Sequence, residues 1–389
     1  MDPRAPLVIA LGLGQVLAYG STYYLPAVLA APMAAELGLS VSTAFAAFSL
    51  ALVVSALCGP RAGAWVDRHG GRPVLLASNG VLALALAAMS QVQGPVGLFA
   101  AWALLGVGMS LGLYESAFAA LVRLWGSDSR GGITGITLLG GLASTAAWPL
   151  SAWLLTRYGW RDACLAWAGL HLLLGLPLHA SVPRARSAAL AHPSVSDADE
   201  EPITAPAPPG LGTTLALAGV FAIAWFNSTA MAAHLPQLLQ ASGVGLSTAV
   251  WIGGLIGPAQ VAARLAEFGF LRHWHPLLSA RLAAGLHPLG AALLLALGPV
   301  AAPMFGLLHG AGNGILTIAK GTLPLVLFGP AGYGQRQGLL MMPARVSQAL
   351  APWLFGLALE DWGPSALWLT GGCSLVALAL LLRLRALGG

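Results

Sequence analysis

Gly63-Ala64-Trp65-Val66-Asp67-Arg68-His69-Gly70-Gly71-Arg72-Pro73 sets one acid, two arginines and three glycines between two long apolar runs. Irregular backbone cannot face hydrocarbon, because its N–H and C=O groups would go unpaired there. The stretch therefore reads as a tight hairpin at a membrane surface, joining two helices that cross.

Composition points the same way. The chain has 389 residues, of which 57% are hydrophobic and 8% charged, and its mean hydropathy is +0.79. A soluble domain carries about 25% charged residues to cover its surface. A span uses about 20 apolar residues, so twelve would use roughly 240 and leave only short loops. The expected class is an all-α polytopic membrane protein. The first apolar run is long and lacks a small-residue cleavage site, so it reads as the first span rather than a removed signal. Cys58, Cys164 and Cys373 lie in or beside apolar runs, and their odd number suggests free thiols rather than a disulfide framework.

Working outward, the apolar runs predict spans at about 7–31, 42–66, 74–92, 96–122, 132–155 and 163–182. A second set follows at about 211–240, 248–269, 276–297, 301–328, 338–359 and 365–384. Between the sets, residues 183–210 turn polar: Pro183-Arg184-Ala185-Arg186, then Asp197, Asp199, Glu200 and Glu201, then a proline-rich run. Such a stretch has linker character. The expected division is a six-helix half over 1–182, a linker over 183–210 and a second half over 211–389. Gly59-Pro60 recurs as Gly257-Pro258 in the second set, a trace of internal repetition.

Arginine bias in short loops gives orientation. Under this assignment Arg4, Arg68, Arg72, Arg123, Arg130, Arg184, Arg186, Arg272, Arg281, Arg336, Arg383 and Arg385 share one side, and only Arg157 and Arg161 fall clearly on the other. Both termini and the linker are then expected in the cytoplasm, and the chain in the inner (cytoplasmic) membrane. The sequence pI of about 9.5 fits arginines facing anionic lipid and does not imply nucleic acid.

The spacing Gly63-x-x-x-Asp67-Arg68-x-Gly70-x-Arg72 resembles the loop between helices 2 and 3 of the major facilitator superfamily, although Gly71 stands where that family often has a basic residue. The resemblance implies two six-helix halves rocking around a central cavity, with this hairpin as a latch on the cytoplasmic side. In transporters of this design the site lies near the midplane between the repeats. Asp67 is placed to favour a helix N-terminus or to pair with a nearby arginine.

An ionisable residue inside a span is a functional candidate by default, and here these are Glu115, Arg264, Glu267, Lys320 and Arg345. Lys320 is the chain's single lysine and lies deep in an apolar run, where its ammonium needs an anionic partner, an anionic substrate or a route to the membrane edge. Arg264 and Glu267 are three apart and can form a self-contained pair; alternatively, Arg264 presents its planar fork to a substrate carboxylate. Organic-anion and monocarboxylate carriers of the superfamily often place cations on these helices, and the chain resembles them in that respect. Glu115 is a candidate proton site, or a partner for Arg123 or Arg345. Arg345 is expected near the cytoplasmic end, in a structural role.

Gln15, Tyr19, Tyr23, Asn227 and Asn313 are candidate polar groups of a binding pocket, whereas Tyr24 reads as an interface anchor. Met231 and His234 could present a thioether and an imidazole to a soft metal such as Cu(I), with His309 joining them. Metal-importing relatives carry Met-x-x-x-Met helical pairs, but Leu235 stands where that pair needs methionine, and methionine in an apolar helix is more often packing. His273 and His275 are too isolated for a metal site. Proton-coupled drug exporters of the superfamily carry Gly-Pro in helix 5; here Trp148 precedes Pro149. No Gly-x-x-x-x-Gly-Lys-Ser/Thr loop for ATP occurs. The expectation is a monomeric, proton-coupled carrier of a small organic anion that needs no cofactor and is not an enzyme. Export of a hydrophobic compound and import of a metal are the alternatives.

Overall fold

The computed structural model describes residues 4–184, 210–271 and 274–384, and these are helical almost throughout, with no strand among them. Most of the linker, with Arg186, and also Arg272, His273 and Arg385, lie outside the described residues. Among the described residues seven helical stretches are long and apolar enough to cross a membrane, and three of them, of 86, 53 and 51 residues, hold more than one crossing.

The first pass is α1 (Ala5–Gly20) with α2 (Pro26–Glu36), the second α3 (Val41–His69) and the third α4 (Gly71–Ser90). The fourth pairs α5 (Pro95–Gly112) with α6 (Tyr114–Trp125). The fifth and sixth share α7 (Arg130–Gly140), α8 (Ala143–Leu170) and α9 (Leu176–Ala180), with the reversal inside α8 at Gly159. The last six are α10 (Leu211–Ala241), α11 (Leu246–Ala266), α12 (Pro276–Leu297), α13 (Ala302–Phe328), α14 (Tyr333–Trp362) and α15 (Leu367–Arg383). Proline in the first turn starts α1, α2, α5, α12 and α13, where its missing N–H costs no helical hydrogen bond.

Three spans expected to be continuous are divided: 7–31 at residues 21–25, 96–122 at Leu113 and 132–155 at residues 141–142. At Leu113 the backbone is extended, with φ −77° and ψ −176°. The carbonyls this frees are taken by side chains, Gln15 Nε2 donating to Gly112 O at 2.9 Å and Ser116 Oγ to Ser110 O at 2.9 Å. A span-length hydropathy window does not register such a break, because apolar residues continue on both sides of it.

The first six passes pack around Trp102, Trp167 and Met89 and, nearer the hairpin, around Phe118 and Ile136. The last six pack around Phe221 and Met341 and around Phe305 and Phe355. Large apolar side chains such as Leu173, Phe270 and Trp368 remain exposed on the outside, as lipid-facing positions do.

Two devices pin the seam between the two sets at the hairpin end. The hairpin turns at Gly70, with φ 83°, and a Cβ at Gly63 would collide with the backbone of Gly334, so α3 and α14 meet backbone to backbone there. The Asp67 carboxylate accepts the Gly334 and Gln335 amides at 2.9 and 2.8 Å, capping the positive end of α14. Of the two expectations for Asp67, the helix N-terminus holds. The second device is Arg130 of α7, which donates to Trp274 O at 2.8 Å and pairs with Glu267 at 3.4 Å. At the far end Arg161 ties three passes together, donating to Glu36 Oε1 at 2.9 Å, Ser90 O at 2.6 Å and Val92 O at 2.7 Å.

Candidate functional site

The break at Leu113 places Glu115 in the first turn of α6, where a carboxylate complements the helix dipole. From there it reaches the seam. One carboxylate oxygen accepts from Lys320 Nζ at 3.0 Å and the other from Arg345 at 3.1 Å. Lys320 (α13) and Arg345 (α14) are 1% and 4% exposed. Two buried cations therefore share one carboxylate between the two sets of passes, and the trio carries one unit of positive charge. Removing the carboxylate from such a group leaves its buried cations uncompensated, at a cost of about 3–5 kcal/mol.

Lys320 is held on all sides. Its ammonium lies 4.9 Å from the Tyr114 ring and 4.8 Å from the Trp225 ring, close enough for cation–π attraction. Gln337 Nε2 donates to the Lys320 carbonyl and Tyr333 Oη to the Gly321 carbonyl, each at 2.8 Å, which fixes that turn of α13 against α14.

Arg345 continues the polar chain outward. It donates to Gln348 Oε1 at 3.2 Å, Gln348 Nε2 donates to Tyr23 Oη at 3.2 Å, and Tyr23 Oη lies 3.4 Å from Thr229 Oγ1. Tyr23 thus crosses the seam, and Tyr19 sits behind it, 4.8 Å from the Tyr114 ring centroid. Tyr24 packs edge-on against Trp148 at 5.7 Å, part of the same aromatic cluster rather than a lone interface anchor.

The other candidates lie elsewhere. Arg264 is buried and donates to Thr137 O across the seam at 2.9 Å, to Gly314 O at 3.3 Å and to Gln260 Oε1 at 3.4 Å. Its expected pairing with Glu267 does not form. Each is drawn to a partner on another element, Glu267 to Arg130 and Arg264 to the Thr137 and Gly314 carbonyls. Gln15 is fully buried among the first six passes and serves the break in the fourth. Asn227 donates to Thr370 O at 3.0 Å and Ser374 Oγ at 2.7 Å, and with Asn313, His287 and His309 it lines a small cavity of about 30 Å³ within the last six passes. Of the seven expected pocket residues, Lys320, Tyr19 and Tyr23 gather around Glu115, Arg264 lies within electrostatic reach of Lys320 and Tyr114 with its donors on Thr137, Gly314 and Gln260, and three face the interior of one set.

Met231 is buried among apolar side chains, His234 Nε2 lies 2.7 Å from Pro352 O, and His309 meets His287 at 2.9 Å. The thioether and imidazoles have separate surroundings, and no cluster of three or more His, Cys, Asp or Glu occurs among the described residues.

Gln348, Tyr114 and Trp225 were not expected at the site; the pairing of Glu115 with Arg345 was one of the expectations, and it forms. A signal existed for Gln348, which stands three residues after Arg345 between Pro343 and Pro352, a polar pair well inside an apolar run.

Comparison with known proteins gives the same fold. Residues 11–307 match the family model described as Major Facilitator Superfamily. The chain is 30% identical over 391 residues to a Thermoproteus tenax protein described as an uncharacterized 38 kDa protein in a 23S RNA operon, covering 100% of this chain and 97% of the relative. Among solved structures, the human organic anion transporter MFSD10 (TETRAN) superposes with a TM-score of 0.73 at 16% identity, over 98% of this chain and 100% of that one. The proton:xylose symporter XylE gives 0.72 at 14% identity, over 97% and 95%. A bacterial homologue of the iron transporter ferroportin, in an outward-facing state, gives 0.74 at 15% identity, over 97% and 98%.

Proposed function

We propose, from the premise that the chain belongs to the Major Facilitator Superfamily, that this secondary transporter carries a small organic anion by alternating access, driven by a proton gradient. One observation carries the proposal: Lys320 and Arg345 share the single carboxylate of Glu115 at the buried seam, an excess of cations that suits an anionic cargo. A substrate carboxylate competes with Glu115 for the same donors, and Arg345 presents the planar fork that suits it. A carboxylate buried without its cations is neutralised by a proton rather than left charged, so displacement of Glu115 couples proton uptake to cargo binding.

The hairpin contacts at Asp67, Gly63 and Gly334 support a latch closed on that side, and the arginine bias supports the cytoplasm as that side, in the inner membrane. Arg68, Gly70 and Arg72 complete the latch, with membrane lipid as its surroundings. The chain works as a monomer of two halves, 1–182 and 211–389, joined by the linker 183–210. Placement of Lys320 among the aromatic rings rather than outside them favours an anion over a neutral hydrophobic compound.

The test is uptake of a labelled carboxylate panel into proteoliposomes under an imposed pH gradient, wild type against Lys320→Ala. Gradient-dependent uptake of an acid, abolished by the substitution, is the expected result. Equal uptake by both proteins contradicts the proposal.

A further inference from the structure

We propose that the cargo is an aromatic carboxylate, an inference that rests on the organic-anion reading of the Glu115 site. The Lys320 ammonium is flanked by Tyr114 from the first six passes and Trp225 from the last six, at 4.9 and 4.8 Å from the ring centroids. Packed aromatic rings keep centroid separations of about 4.5–7 Å. A flat ring occupying the ammonium's position therefore makes two ordinary aromatic contacts at once, one with each half.

The flanking rings are themselves held. Tyr114 stacks on Phe118 at 5.2 Å with an interplanar angle of 18°, and Tyr19 closes on it at 4.8 Å. Trp225 packs edge-on against Phe221 at 6.4 Å. Lys320 carries its charge on a four-carbon stem with several rotatable bonds, unlike the rigid rings beside it. It can follow the cargo's carboxylate toward Arg345 and vacate the slot for the ring.

A bland alternative is that Tyr114 and Trp225 only steady Lys320. That role would lower transport of every carboxylate alike, whereas a ring-binding role changes the ratio between cargoes. The experiment compares uptake of labelled 4-hydroxybenzoate with that of 4-hydroxycyclohexanecarboxylate, a counterpart of equal charge and similar size without a π face. Uptake is measured in pH-gradient proteoliposomes and corrected by protein-free vesicles. Wild type is expected to favour the aromatic acid about tenfold, as two ring–ring contacts imply. Trp225→Leu and Tyr114→Leu bring the ratio toward one, and Trp225→Phe, which keeps a ring, retains most of it. A wild-type ratio near one, or a ratio unchanged in Trp225→Leu, overturns the inference while leaving the organic-anion reading standing. Should neither acid enter and no aliphatic carboxylate of the panel move either, the organic-anion reading falls and this inference falls with it.

Discussion

Arg345 donates to Glu115 at 3.1 Å across 230 positions of sequence, so the carboxylate of one half and the guanidinium of the other form a single electrostatic unit. Glu115→Gln leaves Lys320 and Arg345 facing each other with no anion between them. The expected loss of stability is about 3–5 kcal/mol, read as a lower melting temperature of the purified protein in detergent. Adding Lys320→Met to Glu115→Gln removes one of the unpaired cations and is expected to recover part of the loss. Equal melting of wild type and Glu115→Gln would show that the trio is not a coupled unit.

The hairpin yields a local prediction. Asp67 caps α14 by accepting two of its first amides, and losing such a cap costs about 0.5–2 kcal/mol. In Asp67→Ala the Gly334 and Gln335 amides should exchange their hydrogens about 2-fold to 30-fold faster, while amides deep in α14 keep their rates. Unchanged exchange at both positions would mean that the cap does not hold the two halves together.

Close approach at the same place makes Gly63 sensitive to size. A methyl group there meets the Gly334 backbone, which no side-chain rotation can relieve. Gly63→Ala should reach the membrane folded yet fail to close on the hairpin side, so transport falls while the melting temperature changes little. A fully active Gly63→Ala protein would contradict the observed seam.

Much of this was legible in the sequence. The hairpin, the twelve passes and Lys320 stand out because charge is rare in the chain and a charged residue in an apolar run is conspicuous. Lys320's partner was not legible, since contact with Glu115 bridges 205 positions and no local spacing reports it. Gln15 was expected in a pocket because the carbonyl it serves, that of Gly112, is 97 positions away in sequence. Arg264 and Glu267 share one helical face by spacing, but each is taken by a partner on another element, Thr137 and Arg130. Helix periodicity brings two groups to one face without choosing their partners.

At the far end, the Arg161 guanidinium and the Trp160 indole, both hydrogen-bonded to Glu36, hold that carboxyl below its usual value of 4.5. A carboxyl lowered in the folded state stabilises it fully above the unfolded value, and the stabilisation is lost as pH falls through the folded value. The melting difference between wild type and Glu36→Gln should therefore be present at pH 7 and shrink once the pH drops below 4.5. A difference that stays constant to pH 3 would show that the carboxylate charge plays no part in the clamp.

The central claim is that cargo displaces Glu115 from Lys320 and Arg345 and that the displaced carboxylate takes up a proton. The most direct measurement is the number of protons that enter proteoliposomes with each molecule of a transported acid, followed by an internal pH dye alongside labelled cargo. Wild type should move protons in fixed ratio to anion, and Glu115→Gln should lose that ratio while still binding the acid. Proton entry that persists in step with the anion in Glu115→Gln would contradict the account.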